Sequence, residues 1–224
     1  MINRFKGYSS LPAVNRIGVI SSLLTTFLGV LYFIVILISI LTGKFVFPPA
    51  EDLQLFAGIV SLLVCPIIAA MMASLHEITP PGKRILSQIS LGFTLLFALA
   101  VSINRFSQLG VVRQAVNAGN VDGISRLLAY GNYSVMLGIE YLGWSWFLGL
   151  AMLFAAFLFS DGKIERWLRW SMLTYGVLSL ISAVGFLLGN WLSMLAFVAW
   201  GIVLFVVSGL LVVHFLNRQE HKSV

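Results

Sequence analysis

The pattern of hydrophobic and polar positions divides the chain into six long apolar runs separated by polar segments. About 20 residues at a rise of 1.5 Å cross the roughly 30 Å hydrocarbon layer of a bilayer, so such runs predict membrane-spanning helices. The six predicted spans cover residues 17–41, 53–75, 85–103, 134–159, 170–188 and 191–215. Gly189 and Asn190 separate the last two spans, which predicts a tight hairpin between them.

The composition supports a membrane protein. Hydrophobic residues make up 59% of the 224 residues and charged residues only 10%, whereas soluble domains average about 25% charged residues. The sequence therefore predicts an all-α fold, a polytopic membrane helix bundle with six transmembrane helices in a single domain over residues 1–224. Cys65 is the only cysteine, which excludes a disulfide within the chain and a cysteine-based metal site.

The distribution of lysine and arginine predicts that both termini are cytoplasmic. An even number of spans places both termini on one side, and cytoplasmic loops are enriched in Lys and Arg. With the N-terminus inside, 10 of these 14 residues lie inside and 4 outside. The basic residues flank helices and form no basic stripe, so the net charge of +6 indicates this bias and not nucleic-acid binding. We expect a multi-pass protein of the cytoplasmic (inner) membrane.

Glu140 is an acidic residue well inside a predicted span, six residues or roughly 9 Å below the start of the fourth run. A charge at such a position costs about 3 kcal/mol even on a lenient insertion scale. We therefore expect Glu140 to face the bundle interior with a partner, or to be protonated.

Candidate partners of Glu140 lie near the end of the third run. Asn104 and Gln108 are four residues apart and share a helix face, and Arg105 lies about 100° around the same turn. We predict an outward-opening, ligand-binding polar pocket formed by Glu140 with these residues or with Arg113. The residues predicted to roof this pocket are Asn132, Tyr133 and Trp144.

Two other interpretations of Glu140 stay open at this stage. The residue could make structural hydrogen bonds between the third and fourth helices, or the span boundary could be misplaced. The connection 104–133 is predicted to extend the third helix, then to turn at 118–123 and continue as a short amphipathic stretch. That stretch would form a surface-lying or re-entrant cap.

Catalytic and cofactor motifs do not fit the other polar residues. His76 and Glu77 do not begin an H-E-x-x-H zinc site, because residue 80 is proline. Ser134 and His214 lie on the fourth and sixth runs, as in rhomboid-type proteases, but at opposite ends, whereas a general base needs about 3 Å to its nucleophile. His76 and His214 share the inner side, where interfacial histidines are typically solvated. We expect no metal and no cofactor.

Small residues predict two helix-packing seams. The second run carries Gly58, Cys65, Ala69 and Ala73 on roughly one face. The fifth run carries a similar set, Gly176, Ser179, Ser182 and Gly185. Small residues allow close helix approach in lipid, so we assign these seams to packing and not to chemistry.

Two segments, SINRFSQLGVVR at 102–113 and GIEYLGW at 138–144, resemble a family of uncharacterised bacterial multi-pass membrane proteins. The resemblance covers residues 76–168. Asn104 and Gln108 match an Asn and a Gln on that family's third helix, and Glu140 matches an acidic residue on its fourth. Arg105 stands where the family has an aromatic residue. The resemblance implies an inner-membrane location and no particular activity.

The sequence favours a protein that binds or transports a small apolar or amphipathic ligand through the pocket around Glu140. One alternative is a membrane-embedded enzyme acting on lipid or isoprenoid, with Glu140 as acid or base and with Asn104 and Gln108 orienting the substrate. Another is a structural or regulatory membrane subunit. The expected partners are the lipid bilayer, a lipid or small amphipathic ligand, and a second copy of the chain; nucleic acid is excluded.

Overall fold

Six helices dominate the computed structural model, which describes residues 11–217 except residues 45, 47, 48, 131, 132 and 161. Within that part of the chain there is no strand, and all six helices are long and apolar enough to span a membrane. In chain order, α1 to α6 are Ala13–Leu41, Glu51–Glu77, Pro81–Asn117, Val135–Ala156, Lys163–Leu187 and Trp191–Asn217. The predicted all-α bundle of six apolar helices is confirmed.

Two helices extend well beyond the predicted spans. Helix α5 begins at Lys163 and not near residue 170, because its first turns are helical but charged and escape a hydropathy pattern. Helix α3 continues to Asn117, as the amphipathic pattern after residue 103 indicates. The amphipathic stretch that follows forms only a short 3-10 helix, Ser125–Leu127, so the expected cap is shorter than predicted.

The six helices form a ring in sequence order. Each helix packs against its neighbours along the chain, and α6 returns to pack against α1. The α1–α2, α3–α4 and α5–α6 connections therefore share one end of the bundle, here called the distal end, opposite the end at which α1 begins and α6 ends. Fully buried apolar side chains fill the interior, among them Ile68, Phe97, Leu148, Met172 and Leu211.

Glycines on α1 allow α6 to close the ring. A Cβ built on Gly29 would lie 1.7 Å from a ring carbon of Phe205, and one on Gly18 would lie 2.6 Å from Phe215. A hydrogen bond of 2.8 Å joins the hydroxyls of Thr26 and Ser208 across the same interface. Close approach of small residues is therefore what closes the bundle, as is usual for helices in lipid.

The predicted seam on α5 is confirmed. A Cβ on Gly176 would lie 2.9 Å from the carbonyl oxygen of Gly149 on α4, and the buried hydroxyls of Ser145 and Ser182 lie 2.8 Å apart. The seam predicted on α2 is only partly correct, because Ala73 is exposed while Cys65 is fully buried. The buried face of α2 in this turn is formed instead by Met71, Met72 and Leu75.

The predicted hairpin between α5 and α6 is also confirmed. Gly189 has a φ of +63°, a conformation that favours glycine, and its neighbour Asn190 caps α6 by accepting a hydrogen bond of 3.0 Å from Leu192 N. Gly185 packs under the first turn of α6, where a Cβ would lie 2.5 Å from Ser193 N. These residues hold the two helices in close contact at the distal end.

Candidate functional site

Glu140 lies in the second turn of α4 and is only 7% exposed. Its Oε2 accepts a hydrogen bond of 2.5 Å from Asn104 Nδ2, and its Oε1 forms an ion pair with Arg105 Nη2. Asn104 Nδ2 also donates to the carbonyl oxygen of Met136, one turn earlier on α4, at 3.1 Å. Both carboxylate oxygens are therefore paired with α3, as the sequence predicted.

Close contact between α3 and α4 brings this cluster together. Gly143 lies one turn after Glu140, and a Cβ there would come within 2.6 Å of Val101 Cγ2. Val101 in turn lies one turn before Asn104, so a larger residue at 143 would move the amide away from the carboxylate. The absence of a side chain at 143 thus sets the distance across which Glu140 is paired.

A groove of about 350 Å³ opens beside this cluster at the distal end of the bundle. It lies between α2, α3 and the α3–α4 connection. Its apolar walls are formed by Leu55, Ala57, Gly58, Leu109, Val112, Val116, Leu128 and Ala129. Its polar lining is formed by Glu51, Gln54, Arg105, Gln108, Arg113 and Tyr130. The groove is thus apolar along its length, and its charged side chains lie at two places, one at Arg105 and the other at Glu51 and Arg113.

Arg105 connects the buried cluster to the groove. Its side chain is 15% exposed, lines the groove and pairs with Glu140, which lies behind it. Its Nε is buried and has no hydrogen-bond partner among the described residues, as is also true of Asn104 Oδ1. Glu140 therefore occupies only the Nη2 end of the guanidinium group, which has five N–H donors.

The wall formed by the α3–α4 connection is attached at two points. Gln108 Nε2 donates to Leu127 O at 2.5 Å, and Ser134 Oγ donates to Leu128 O at 2.6 Å. Ser134 also caps α4, because its Oγ accepts from Leu137 N at 3.0 Å. These bonds hold the short apolar segment before Tyr130 against α3 and against the start of α4.

Tyr130 contributes a neutral phenol to this wall. Burial raises its pKa above the ordinary value of 10.0; the positive charge of Arg105 lowers it, and the negative charge of Glu140 raises it. The net direction is upward, so the phenol is protonated at physiological pH. Tyr130 thus adds a hydroxyl to the groove without adding a charge.

A second ion pair lies at the mouth of the groove. Arg113 Nε and Glu51 Oε1 are 3.7 Å apart, and their side chains are 44% and 63% exposed. Exposed pairs of this kind typically contribute 0–1 kcal/mol. The pair links the first turn of α2 to α3 only weakly, so Arg113 is available to a competing anion.

Helix α3 is π-helical along the groove, over Gln108–Val112, and α4 has a π-helical segment at Leu142–Phe147. Such segments are rare and occur frequently at functional sites. Within the α4 segment, the carbonyl oxygen of Trp144 accepts a hydrogen bond of 3.2 Å from Tyr175 OH. No simple residue pattern marks these segments, so they are not predictable from the sequence.

The structure corrects the predicted roof. Trp144 packs in the core with its ring centroid 4.7 Å from that of Phe97, and it does not line the groove. Tyr133 is 93% exposed with a φ of +56°, so it points away from the cluster. Asn132 lies outside the described residues. The groove is covered instead by the segment that ends at Tyr130, part of the stretch predicted to form a surface-lying or re-entrant cap.

Histidine and serine residues elsewhere are engaged in structural contacts. His76 Nδ1 lies 2.7 Å from Ser87 Oγ. Ser87 is only 2% exposed, and its hydroxyl also donates a hydrogen bond to Arg84 O at 2.9 Å. His214 Nδ1 lies 3.4 Å from Glu165 Oε1. Within the described ranges, no three His, Cys, Asp or Glu side chains are grouped to hold a metal.

No family model, curated protein or solved structure matches this chain. The resemblance of segments 102–113 and 138–144 to a bacterial membrane-protein family stays a prediction. The structure does place the two segments in contact, because Asn104 and Arg105 from the first bind Glu140 from the second.

Proposed function

We propose that this protein is a membrane receptor or carrier component that binds a small amphipathic ligand in the distal groove. The observation that carries the proposal is the junction of an apolar groove with Arg105, a guanidinium group held by the buried carboxylate of Glu140. Ligand sites typically measure about 300–1,000 Å³ and combine apolar walls with a few convergent polar groups. The groove has this character at the small end of the size range.

The cost of the charged pair supports a ligand role. Ionisable residues inside membrane spans are expensive, and they typically mark substrate or ligand sites. If the only role of this cluster were to join α3 to α4, a hydrogen bond between Asn104 and a neutral side chain would be sufficient. The chain instead pairs Glu140 with an arginine that also lines the groove. The arrangement positions a cation at the groove while neutralising it from behind.

The geometry favours binding over catalysis. A general acid or base must come within about 3 Å of the group it protonates or deprotonates. Glu140 does not line the groove, and both of its oxygens are already paired. Gln108, the proposed substrate-orienting residue of the enzyme alternative, donates its amide to Leu127 O.

The geometry also favours binding over transport through the bundle. Hydroxyls within the spans that could line an inward polar path already have partners: Thr25 donates to Ser21 O on the same helix at 2.9 Å, and Tyr175 donates to Trp144 O on α4 at 3.2 Å. Buried methionine and aromatic side chains occupy the interior between the groove and the opposite end. We therefore place the ligand in the groove alone.

Photoaffinity mapping tests this proposal. The protein is incorporated in phosphatidylcholine nanodiscs and irradiated with a photoreactive 12-carbon fatty acid or with the corresponding fatty alcohol, and labelled peptides are mapped by mass spectrometry. We expect label in residues 54–58, 109–116 and 128–130. Two variants, Gly58→Leu and Ala57→Leu, fill the groove and should abolish that label. Gly92→Leu is the matched control, because Gly92 is an exposed α3 glycine facing open space.

Two results would contradict the proposal. One is label spread evenly over all exposed apolar faces, without enrichment in the groove peptides. The other is groove label that persists unchanged in both filled variants while their thermal unfolding matches that of Gly92→Leu. Either result would show that the probe reports ordinary lipid contact.

A further inference from the structure

The charges that face the groove are predominantly positive. Its lining carries the guanidinium groups of Arg105 and Arg113 and a single carboxylate, Glu51. Glu140 balances Arg105 but is screened from the groove by it. A ligand entering the groove therefore meets arginine N–H donors before it meets any buried negative charge.

Arg105 has hydrogen-bonding capacity left over. Only its Nη2 binds Glu140, and its buried Nε lacks a partner in the part of the chain that the structure describes. Guanidinium groups bind carboxylate and phosphate oxygens through two parallel N–H donors, so an acidic head group fits the part of this guanidinium group that faces the groove.

The two glutamine amides of the lining do not compete for this role. The side-chain amides of Gln54 and Gln108 donate to the backbone oxygens of Pro49 and Leu127, at 2.6 and 2.5 Å. These bonds hold the walls of the groove and leave the two arginines as its charged donors. Among the described residues, Arg113 forms an ion pair with the exposed Glu51, and this weak pair lets it turn towards an anion at the mouth.

We infer that the ligand is a single-chain amphiphile with one acidic head group, a carboxylate or a phosphate, which binds Arg105 while its chain lies along Leu109 and Gly58. This inference rests on the proposed function and names its ligand class. The volume of about 350 Å³ corresponds to a head group and part of one chain.

Competition against the photoreactive fatty acid tests the head group. Four competitors share a 12-carbon chain: dodecanoate, dodecyl phosphate, dodecanol and dodecyltrimethylammonium. In the wild type we expect the two anions to displace groove label at about tenfold lower concentration than the alcohol, a ratio that corresponds to about 1.4 kcal/mol. The cation should compete least. A stronger effect of dodecanoate indicates a fatty acid, and a stronger effect of dodecyl phosphate indicates a lysophospholipid-type ligand; both support the inference.

Two variants tie this preference to the arginines. Arg105→Gln combined with Glu140→Gln removes both charges together and should leave only the preference of about threefold that Arg113 contributes. Arg113→Gln, an exposed change, should reduce the preference about threefold, by roughly 0.65 kcal/mol, and should leave thermal stability unchanged. A preference that stays about tenfold in both variants would overturn the assignment to Arg105 and Arg113.

Failure of this inference is distinguishable from failure of the proposed function. If all four competitors act at equal concentration and the label disappears in Gly58→Leu, the groove binds amphiphiles without regard to charge and only the inference fails. If dodecyltrimethylammonium competes best, the groove prefers a cationic head group and the inference is overturned. If neither photoreactive probe labels the groove selectively, the proposed function fails as well.

Discussion

At the scale of single residues, the central feature is a buried charge that is paired on both of its oxygens. The spacing of Asn104, Arg105 and Glu140 was sufficient to predict this cluster, because helical geometry fixes which side chains of α3 share a turn. The position of Trp144 was not predictable in the same way. A spacing of four residues aligns it with Glu140 in an α-helix, but the π-helical segment intervenes and Trp144 packs in the core.

Glu140→Gln should destabilise the protein strongly, because it leaves the Arg105 guanidinium buried without its counter-charge. Removing one partner of a buried ion pair typically costs about 3–5 kcal/mol. The double variant with Arg105→Gln should be more stable than Glu140→Gln alone. Unfolding free energies of the wild type, both single variants and the double variant give the coupling energy. Additive single effects would show that the pair is not coupled.

Gln108→Leu should loosen the wall of the groove with little loss of global stability. It removes the 2.5 Å bond to Leu127 O, which attaches a surface segment and not a core helix. Hydrogen exchange of residues 124–130 should increase while the exchange of α3 before residue 105 stays unchanged. Protection of 124–130 equal to that of the wild type would mean that Ser134 alone holds the segment.

At the scale of secondary-structure elements, apolar runs were sufficient to predict the number of helices but not all of their ends. The first turns of α5 are charged, so a hydropathy pattern does not indicate that this helix begins at Lys163. The groove itself depends on how α2 lies against α3 and on the path of the chain at Leu128. Those positions follow from tertiary packing, so neither Glu51 nor Tyr130 could be assigned to the site from periodicity.

Gly185→Ala should destabilise the α5–α6 hairpin. The added Cβ would lie 2.5 Å from Ser193 N, a backbone atom that cannot move away independently. Overpacking of this kind typically costs about 1–3 kcal/mol. Gly92→Ala is the control, since a Cβ at Gly92 meets open space. Equal thermal unfolding midpoints for the two variants would contradict the close helix contact described here.

At the scale of the whole molecule, the closed ring of six helices places the groove at the end opposite the start of α1 and the end of α6. The lysine and arginine distribution predicts that this distal end faces away from the cytoplasm. The ligand is therefore predicted to enter the groove from the outer leaflet or from the space outside it.

Cysteine accessibility tests this orientation. In a Cys65→Ser background, Asp122→Cys in the α3–α4 connection should react with a membrane-impermeant maleimide added to intact cells. Lys163→Cys at the start of α5 should react only after the membrane is permeabilised. The reverse pattern would mean that the groove opens to the cytoplasm and that the charge bias does not set the topology.

The most direct test of the account is an electron cryomicroscopy structure of the protein in nanodiscs that contain dodecanoate or dodecyl phosphate. The account predicts elongated density in the distal groove that begins at the guanidinium of Arg105 and runs along Leu109 and Gly58, and that is lost in Gly58→Leu. Density that is equally strong at other helix surfaces, or a groove filled by the protein's own side chains, would contradict ligand binding at this site.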